Sequence, residues 1–333
     1  MKRLLFITQR LDETDRDLAF AIQWIDAFRA AGYDVQVLCL KKGQFDDHFP
    51  VYSLGKEKGY PKWRWIIEFY RRIFTLKYDR VFVHMNSEWS ALGGWYWILT
   101  GRPFYLWYTH YTMTWHLRVT GWLVTKMFCA TPQSLPQYND SPKKMVVGHG
   151  IDVPFWTEGQ IPERTARDPY ALVTVHRMSR SKRLEIVLHA LAQLPQEYHL
   201  TVYGRVVPGE EAYTEEMKQL IIELGLQERA RILAPVAMNE LRDIYRQYPL
   251  MLNMASETID KTMLEAMLNG CYVVTTPGNS RAIGLTEYPA AETAEALVAF
   301  VTAKIEQHYS LQQLQQIVIA NHSLSSLITK MNV

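Results

Sequence analysis

Short apolar runs alternate along the chain with longer segments whose apolar residues recur every third or fourth position. The runs Leu4–Thr8, Val35–Leu40, Arg80–His84, Phe104–Tyr108, Met127–Ala130 and Met145–Val147 read as buried strands. Leu18–Ala31, Trp63–Leu76, Trp89–Leu99 and Leu117–Thr125 lie between them with helical spacing. Strand and helix in steady alternation predict an α/β fold, a parallel sheet with helices on both faces. The scheme begins again with Tyr170–Val175, His199–Tyr203, Ala230–Leu233, Leu250–Asn253 and Tyr272–Thr275, so two Rossmann-like domains are expected.

Between the two sets, Gly148-His149-Gly150-Ile151-Asp152-Val153-Pro154 leads into a polar, Pro-containing stretch over Gln160–Pro169 that lacks periodicity. The expected organisation is a domain over residues 1–155, a second over 165–310, and a helix within 311–333 that packs back toward the first. The last helical pattern spans Leu314–Met331.

Composition narrows the class. The 333 residues are 48% hydrophobic and 21% charged, as in a folded protein of about two domains. Cys39, Cys129 and Cys271 are odd in number and lie in apolar surroundings. A disulfide framework is therefore not expected, and the cytoplasm is the expected compartment. The opening Met1–Arg10 is too short in its apolar core for a signal peptide, and Gly101-Arg102-Pro103 interrupts the most hydrophobic window, Ala91–Tyr108. Net charge is only +2, but residues 1–150 hold 20 Lys and Arg against 13 Asp and Glu, and the rest 16 against 21. All ten tryptophans fall at or before Trp156. The halves thus differ in surface, and the small net charge without a recognition motif argues against nucleic acid as partner.

The densest chemistry lies in Ser256-Glu257-Thr258-Ile259-Asp260-Lys261-Thr262-Met263-Leu264-Glu265, between two strand runs. Two carboxylates there can accept hydrogen bonds from several hydroxyls, and a helix start between them directs N–H groups outward toward a phosphate. Sugar, ribose and phosphate together describe a nucleotide sugar. Arg177 closes a strand and Lys182 enters the next helix five residues on. In an open parallel sheet ligands bind beyond the carboxyl ends of the strands, where both cations would meet a diphosphate.

Gly204, ending the run of Tyr203, would let a ligand approach closely, or mark a plain turn. Gly204-x4-Gly209 is no P-loop, because Glu210 stands where lysine is required, and no Gly-x-Gly-x-x-Gly follows the first strand. His110 at the end of Phe104–Tyr108 is placed to reach a cleft between the domains. His84 holds a similar strand end, and His149 and Asp152 border the same region. Residues 60–78 mix cations with aromatics on a helical pattern, fitting either a helix in an anionic membrane interface or one whose Trp and Phe are core.

Arg177 with Lys182, Tyr203-Gly204 and Ser256-Glu257-x7-Glu265-Ala266-Met267-x2-Gly270 together resemble the retaining glycosyltransferases of the GT-B fold, glycosyltransferase family 4 (glycosyl transferases group 1). Order and spacing agree from Tyr170 to Thr276, and more weakly over Tyr105–His110 and His149–Asp152. Thr8-Gln9-x2-Asp12-x2-Asp15 and Ser53-Leu54-Gly55-Lys56-Glu57 look like a bacterial subgroup, and a cell-envelope glycan is the expected product. The resemblance implies two domains facing across a cleft and a donor held by the second. Arg177 and Lys182 would contact the diphosphate, Glu257 the donor sugar and Glu265 the ribose, with Gly204 and Thr262 beside them. His110 would approach the sugar from the first domain, and Glu257, His110, Arg177 and Lys182 would carry catalysis.

The implied reaction moves a hexose from a UDP- or GDP-linked donor, with retention, to a glycan, lipid or small-molecule acceptor; the expected place is the cytoplasm or the inner face of the cytoplasmic membrane. It implies no metal and no cofactor beyond the sugar nucleotide. Asp15-Arg16-Asp17 is the only Asp-x-Asp and opens a helix pattern, giving little support to a metal-dependent GT-A alternative. Two stretches depart from the family: Arg10–Asp15 replaces a glycine-rich loop, and Ile259-Asp260-Lys261-Thr262 stands where Phe-Gly is common. A nucleotide-sugar epimerase or hydrolase on the same fold, and a non-catalytic sugar- or lipid-binding protein, are the competing readings.

Overall fold

The structure is a computed structural model describing all residues except 1, 16–19, 47, 111, 257–258, 286–291 and 305–308. The chain divides into two compact units, one formed by Met1–Gly150 with Leu324–Val333, the other by Ile151–Ser323. Each is an α/β layer structure with one parallel sheet, as the alternating pattern predicts.

The first unit runs β1 (Lys2–Leu11), α1 (Phe20–Ala30), β2 (Tyr33–Lys42), β3 (Val51–Ser53), α2 (Lys62–Thr75), β4 (Arg80–His84), α3 (Ser87–Leu99), β5 (Phe104–Trp107), α4 (Trp115–Leu123), β6 (Lys126–Cys129) and β7 (Lys144–Val146). Its seven strands are parallel in the order β3-β2-β1-β4-β5-β6-β7. Alternate residues of these strands feed two cores. Leu4, Phe6, Phe82 and Phe128 pack with Trp24 and Phe28 of α1, whereas Leu5, Ile7, Val81 and Val83 pack with Phe69, Ile73, Trp97 and Leu117 of α2 to α4. Only β3 is absent from the sequence expectation. Three residues after Pro50, on a sheet edge, carry too little pattern to be read.

The second unit runs α5 (Val153–Thr157), β8 (Ala171–Met178), α6 (Leu184–Gln193), β9 (His199–Val206), α7 (Glu211–Glu223), β10 (Ala230–Leu233), α8 (Met238–Tyr245), β11 (Leu250–Asn253), α9 (Lys261–Leu268), β12 (Tyr272–Thr275), α10 (Pro277–Ile283), α11 (Ala294–Thr302) and α12 (Leu311–His322). Its five strands are parallel in the order β10-β9-β8-β11-β12. From β8 the chain winds outward through β9 and β10, then returns to the other side of β8 at β11. The crevice at such a reversal, beyond the carboxyl ends of β8 and β11, is where ligands bind in open α/β sheets.

The unit boundaries differ from the expected ones for local reasons. Asp152 caps α5 by accepting from the Phe155 N–H at 3.2 Å, and Trp156 is buried against Tyr245, so this segment joins the second core rather than ending the first unit at residue 155. The helical pattern over Leu314–Met331 breaks at Ser323, which is extended. α12 therefore stays with the second unit, and only α13 (Leu324–Met331) enters the first, against α1. Ile151 donates its N–H to the His322 carbonyl at 2.8 Å, so the chain enters and leaves the second unit side by side.

Leu327, Ile328 and Met331 of α13 are buried with Phe28, and the Tyr33 hydroxyl donates to the Val333 carbonyl. Leu327→Ala should therefore cost the first unit about 2–5 kcal/mol in urea unfolding. A cost under about 0.5 kcal/mol, the size of a surface substitution, would show that α13 is not part of that core.

Candidate functional site

The loop after β8 and the loop after β11 are laced together. The Ser256 N–H donates to the Ser181 carbonyl at 3.1 Å, and Arg183 Nε donates to the Met254 carbonyl at 2.8 Å. Arg183 takes a left-handed φ of 51° to do so, ending the short 3-10 turn Arg180–Lys182 and beginning α6. At the centre, Lys182 Nζ donates to Asp260 Oδ1 at 2.5 Å, with side-chain exposures of 4% and 19%. The fully buried Asn253, last residue of β11, donates from Nδ2 to the other oxygen of Asp260 at 3.0 Å and accepts from the Ala255 N–H at 3.0 Å. The loop after β8 and the end of β11 thus converge on one carboxylate.

Asp260 is the N-cap of α9, yet its side chain makes no capping hydrogen bond. Both oxygens are held by Lys182 and Asn253 instead. The first N–H groups of α9, which have no intrahelical partner, are left without a capping carboxylate and keep the positive end of the helix available to an anion. Thr262 donates from Oγ1 to the Val175 carbonyl at 2.9 Å, pinning the start of α9 to β8. The opposite face of α9 fixes its direction, with Met263, Leu264, Ala266, Met267 and Leu268 in the core.

Burial shapes the titratable groups. His176 lies inside the end of β8, and loss of hydration pushes its imidazole down to about 4, with Asp260 opposing and Lys182 reinforcing that shift. Its Nδ1 lies 2.9 Å from the Arg177 carbonyl. One turn apart on α9, Lys261 and Glu265 are half-buried. Burial raises the Glu265 carboxyl above the usual range and lowers the Lys261 ammonium, while each charge favours the other. The buried Tyr245 phenol is raised as well, first by burial and then by the Glu265 charge.

Of the residues expected from sequence, Arg177, Lys182, Thr262 and Glu265 stand at this end of the second sheet. Arg177 is exposed at the end of β8 with no side-chain hydrogen bond or ion pair among the described residues. Glu257 lies outside the described residues. Gly204 is not a turn. It sits within β9 opposite His176, and a Cβ there would fall 2.6 Å from the Met178 sulfur, so packing of Met178 accounts for the glycine.

In the first unit, His110 is exposed beyond β5 with its ring edge-on to Tyr108 at 5.3 Å. His84 is core, stacked on Trp107 at 5.1 Å. His149 is buried, and Asp152 is the α5 cap. Asp15 pairs with Arg10, while the other two residues of Asp15-Arg16-Asp17 lie outside the described residues. Sequence reasoning missed Asn253, His176 and the pairing role of Asp260. The signal was a buried lysine one loop away from an acid that breaks the family pattern.

The family model of glycosyl transferases group 1 matches residues 159–287, within the second unit. No curated protein matches the chain. Among solved structures, the chain resembles Anabaena HepE in complex with UDP and glucose, with TM-score 0.78 and 17% identity over 100% of this chain and 98% of that one. It resembles the sucrose-phosphate synthase of Thermosynechococcus elongatus at TM-score 0.73 and 15% identity, over 100% and 98%. WaaG, a glycosyltransferase involved in lipopolysaccharide biosynthesis, follows at 0.68 and 15%, over 98% of each chain.

Removing one partner of a buried pair strands the other charge. Asp260→Ala should destabilise the second unit by about 3–5 kcal/mol in denaturant unfolding, with part recovered on adding Lys182→Met. Equal stability of wild type and Asp260→Ala would contradict a buried pair. His176 is held neutral when folded, so the unfolded chain binds the proton first as pH falls. Its stabilisation is present above pH 6.5 and declines toward pH 4 by about 3 kcal/mol. His176→Gln should flatten that acid limb, and an unchanged limb would rule the histidine out.

Proposed function

We propose that this chain, which has the GT-B fold, is a glycosyltransferase that moves a hexose from a UDP-linked donor to a glycan or lipid-linked acceptor, with retention and without a metal ion. The observation that carries this reading is the convergence of Arg177, Lys182 and the open N-terminus of α9 at the switch point of the second sheet. Together they offer two cations and backbone N–H groups to one diphosphate. UDP is the preferred nucleotide because the similar HepE structure is a UDP complex.

As the bond from the anomeric carbon to the phosphate oxygen breaks, its electron pair stays with the diphosphate and positive charge grows on the carbon. Fixed cations and N–H dipoles at the phosphate stabilise that state without reorganising. Arg177 supplies one charge from the open loop. Lys182 supplies the second by exchanging Asp260 for a phosphate oxygen, while Asn253 retains the carboxylate. Glu265 accepts the ribose hydroxyls. Glu257 accepts those of the transferred sugar. The acceptor hydroxyl attacks the face the phosphate leaves, and its proton passes to the departing phosphate. That same-face course gives retention.

Arg177→Ala should lower kcat by about 10²–10³-fold, as for loss of one oxyanion-type donor, measured with UDP-hexoses and a glycolipid or glycan acceptor panel. Wild-type turnover by that variant would overturn the assignment. In a thermal-shift panel of UDP, GDP and ADP, UDP should stabilise most, by about 2.7 kcal/mol at one hundred times its Kd. A larger shift with GDP would replace the base but keep the site.

A further inference from the structure

The two helical layers covering the first unit's sheet differ on their outer sides. Among the described residues, α1 and α13 expose no large apolar side chain. α2, α3 and α4 form the other layer, and each exposes a stripe of them. α2 presents Trp63, Ile67 and Phe74, α3 presents Trp95, Ile98 and Leu99, and α4 presents Trp115 and Trp122. The spacings of three, four and seven residues put each set on one helix face.

These are not residues left over from the core. The same three helices bury Phe69, Ile73, Trp97 and Leu117 on their inner sides, so α2 carries a second apolar stripe facing away from the sheet. Exposures of 63% at Trp63, 77% at Leu99 and 78% at Trp122 are high for such side chains. Within residues 60–78, α2 thus carries core residues on one face and exposed aromatic and aliphatic residues on the other.

The stripes adjoin. The Phe74 ring on α2 lies 4.7 Å from Tyr96 and 6.5 Å from Trp95 on α3. Thr120 on α4 donates to the Ser87 carbonyl of α3 at 3.2 Å, and Gly94 leaves room for Leu123. Cations are interleaved with the rings. Arg71 lies within the α2 stripe, Arg118 falls between Trp115 and Trp122, and Lys62 and Arg64 are exposed at the start of α2. The only carboxylates on the three helices are Glu88 and Glu68, and Glu68 is paired with Arg71 at 2.6 Å and Arg72 at 2.7 Å.

We propose that the outer face of α2, α3 and α4 docks on the surface of an anionic lipid bilayer. A tryptophan ring has an apolar body and a polar N–H, and the boundary of headgroups and acyl chains accommodates both. Excess cations in that plane meet anionic headgroups. The face lies on the bilayer and does not cross it: among the described residues no helix is long and apolar enough to span one. A bilayer is favoured over a protein partner because the charge on this face is one-sided, in a segment of residues 1–150 that carries 20 cations against 13 acids.

Co-sedimentation with vesicles of mixed phosphatidylglycerol and phosphatidylcholine, against pure phosphatidylcholine, tests this on the full chain. Wild type should bind the mixed vesicles more tightly, and less so as salt rises. Lys62→Gln, Arg64→Gln and Arg118→Gln should each weaken binding about fivefold. Trp115→Ser with Trp122→Ser should weaken it at every salt concentration. These side chains are exposed, so unchanged melting temperatures establish that the variants fold. Arg177→Ala should bind vesicles as wild type does. Absence of binding at low salt, binding indifferent to the tryptophan pair, or a dimer in sedimentation that needs that pair would overturn the proposal. Vesicle binding requires neither donor nor turnover, so its failure leaves the transfer reading untouched.

Discussion

A lysine ammonium placed where water cannot reach it needs a counter-charge, and in the second unit Asp260 is that charge for Lys182. The pair sits between the ends of β8 and β11 and draws in Asn253, so the loops after both strands take one arrangement. It also diverts Asp260 from capping its own helix, leaving the start of α9 free to meet an anion. One buried interaction thus sets the position of a cation, the order of two loops and the polarity of the crevice. In the proposed transfer it is also the interaction that a donor phosphate replaces.

Most of the fold was legible because parallel strands buried on both faces leave continuous apolar runs, and helices on such a sheet leave a regular spacing. Val51–Ser53 escaped because three residues on an edge make no run. Ser323 escaped because α12 and α13 share one helical pattern, and only their packing into different units separates them. Sequence placed Arg177, Lys182 and Glu265 at one end of a sheet from their positions after strand patterns. It did not show that Gly204 lies within a strand, where its missing Cβ makes room for Met178. Nor could it pair Lys182 with Asp260, seventy-eight positions apart. The departure at Ile259-Asp260-Lys261-Thr262 marked the right place without stating its partner.

The first unit divides its apolar residues differently. One helical layer, α1 with α13, keeps them inside, whereas the layer of α2 to α4 uses them on both sides. A helix pattern records both stripes, which is why residues 60–78 read equally well as core and as interface. The charge asymmetry between the halves of the chain follows the same division, with cations concentrated in the unit that carries the exposed tryptophans.

The central claim is that Asp260 holds the place of a phosphate at Lys182. Calorimetric titration of UDP into wild type and Asp260→Asn tests it most directly, because asparagine keeps the shape and removes the competing charge. The account predicts tighter UDP binding to Asp260→Asn, by about tenfold if roughly 1.4 kcal/mol of competition is relieved, together with a less stable ligand-free protein. Equal or weaker binding of UDP, with the ligand-free stability unchanged, would contradict it.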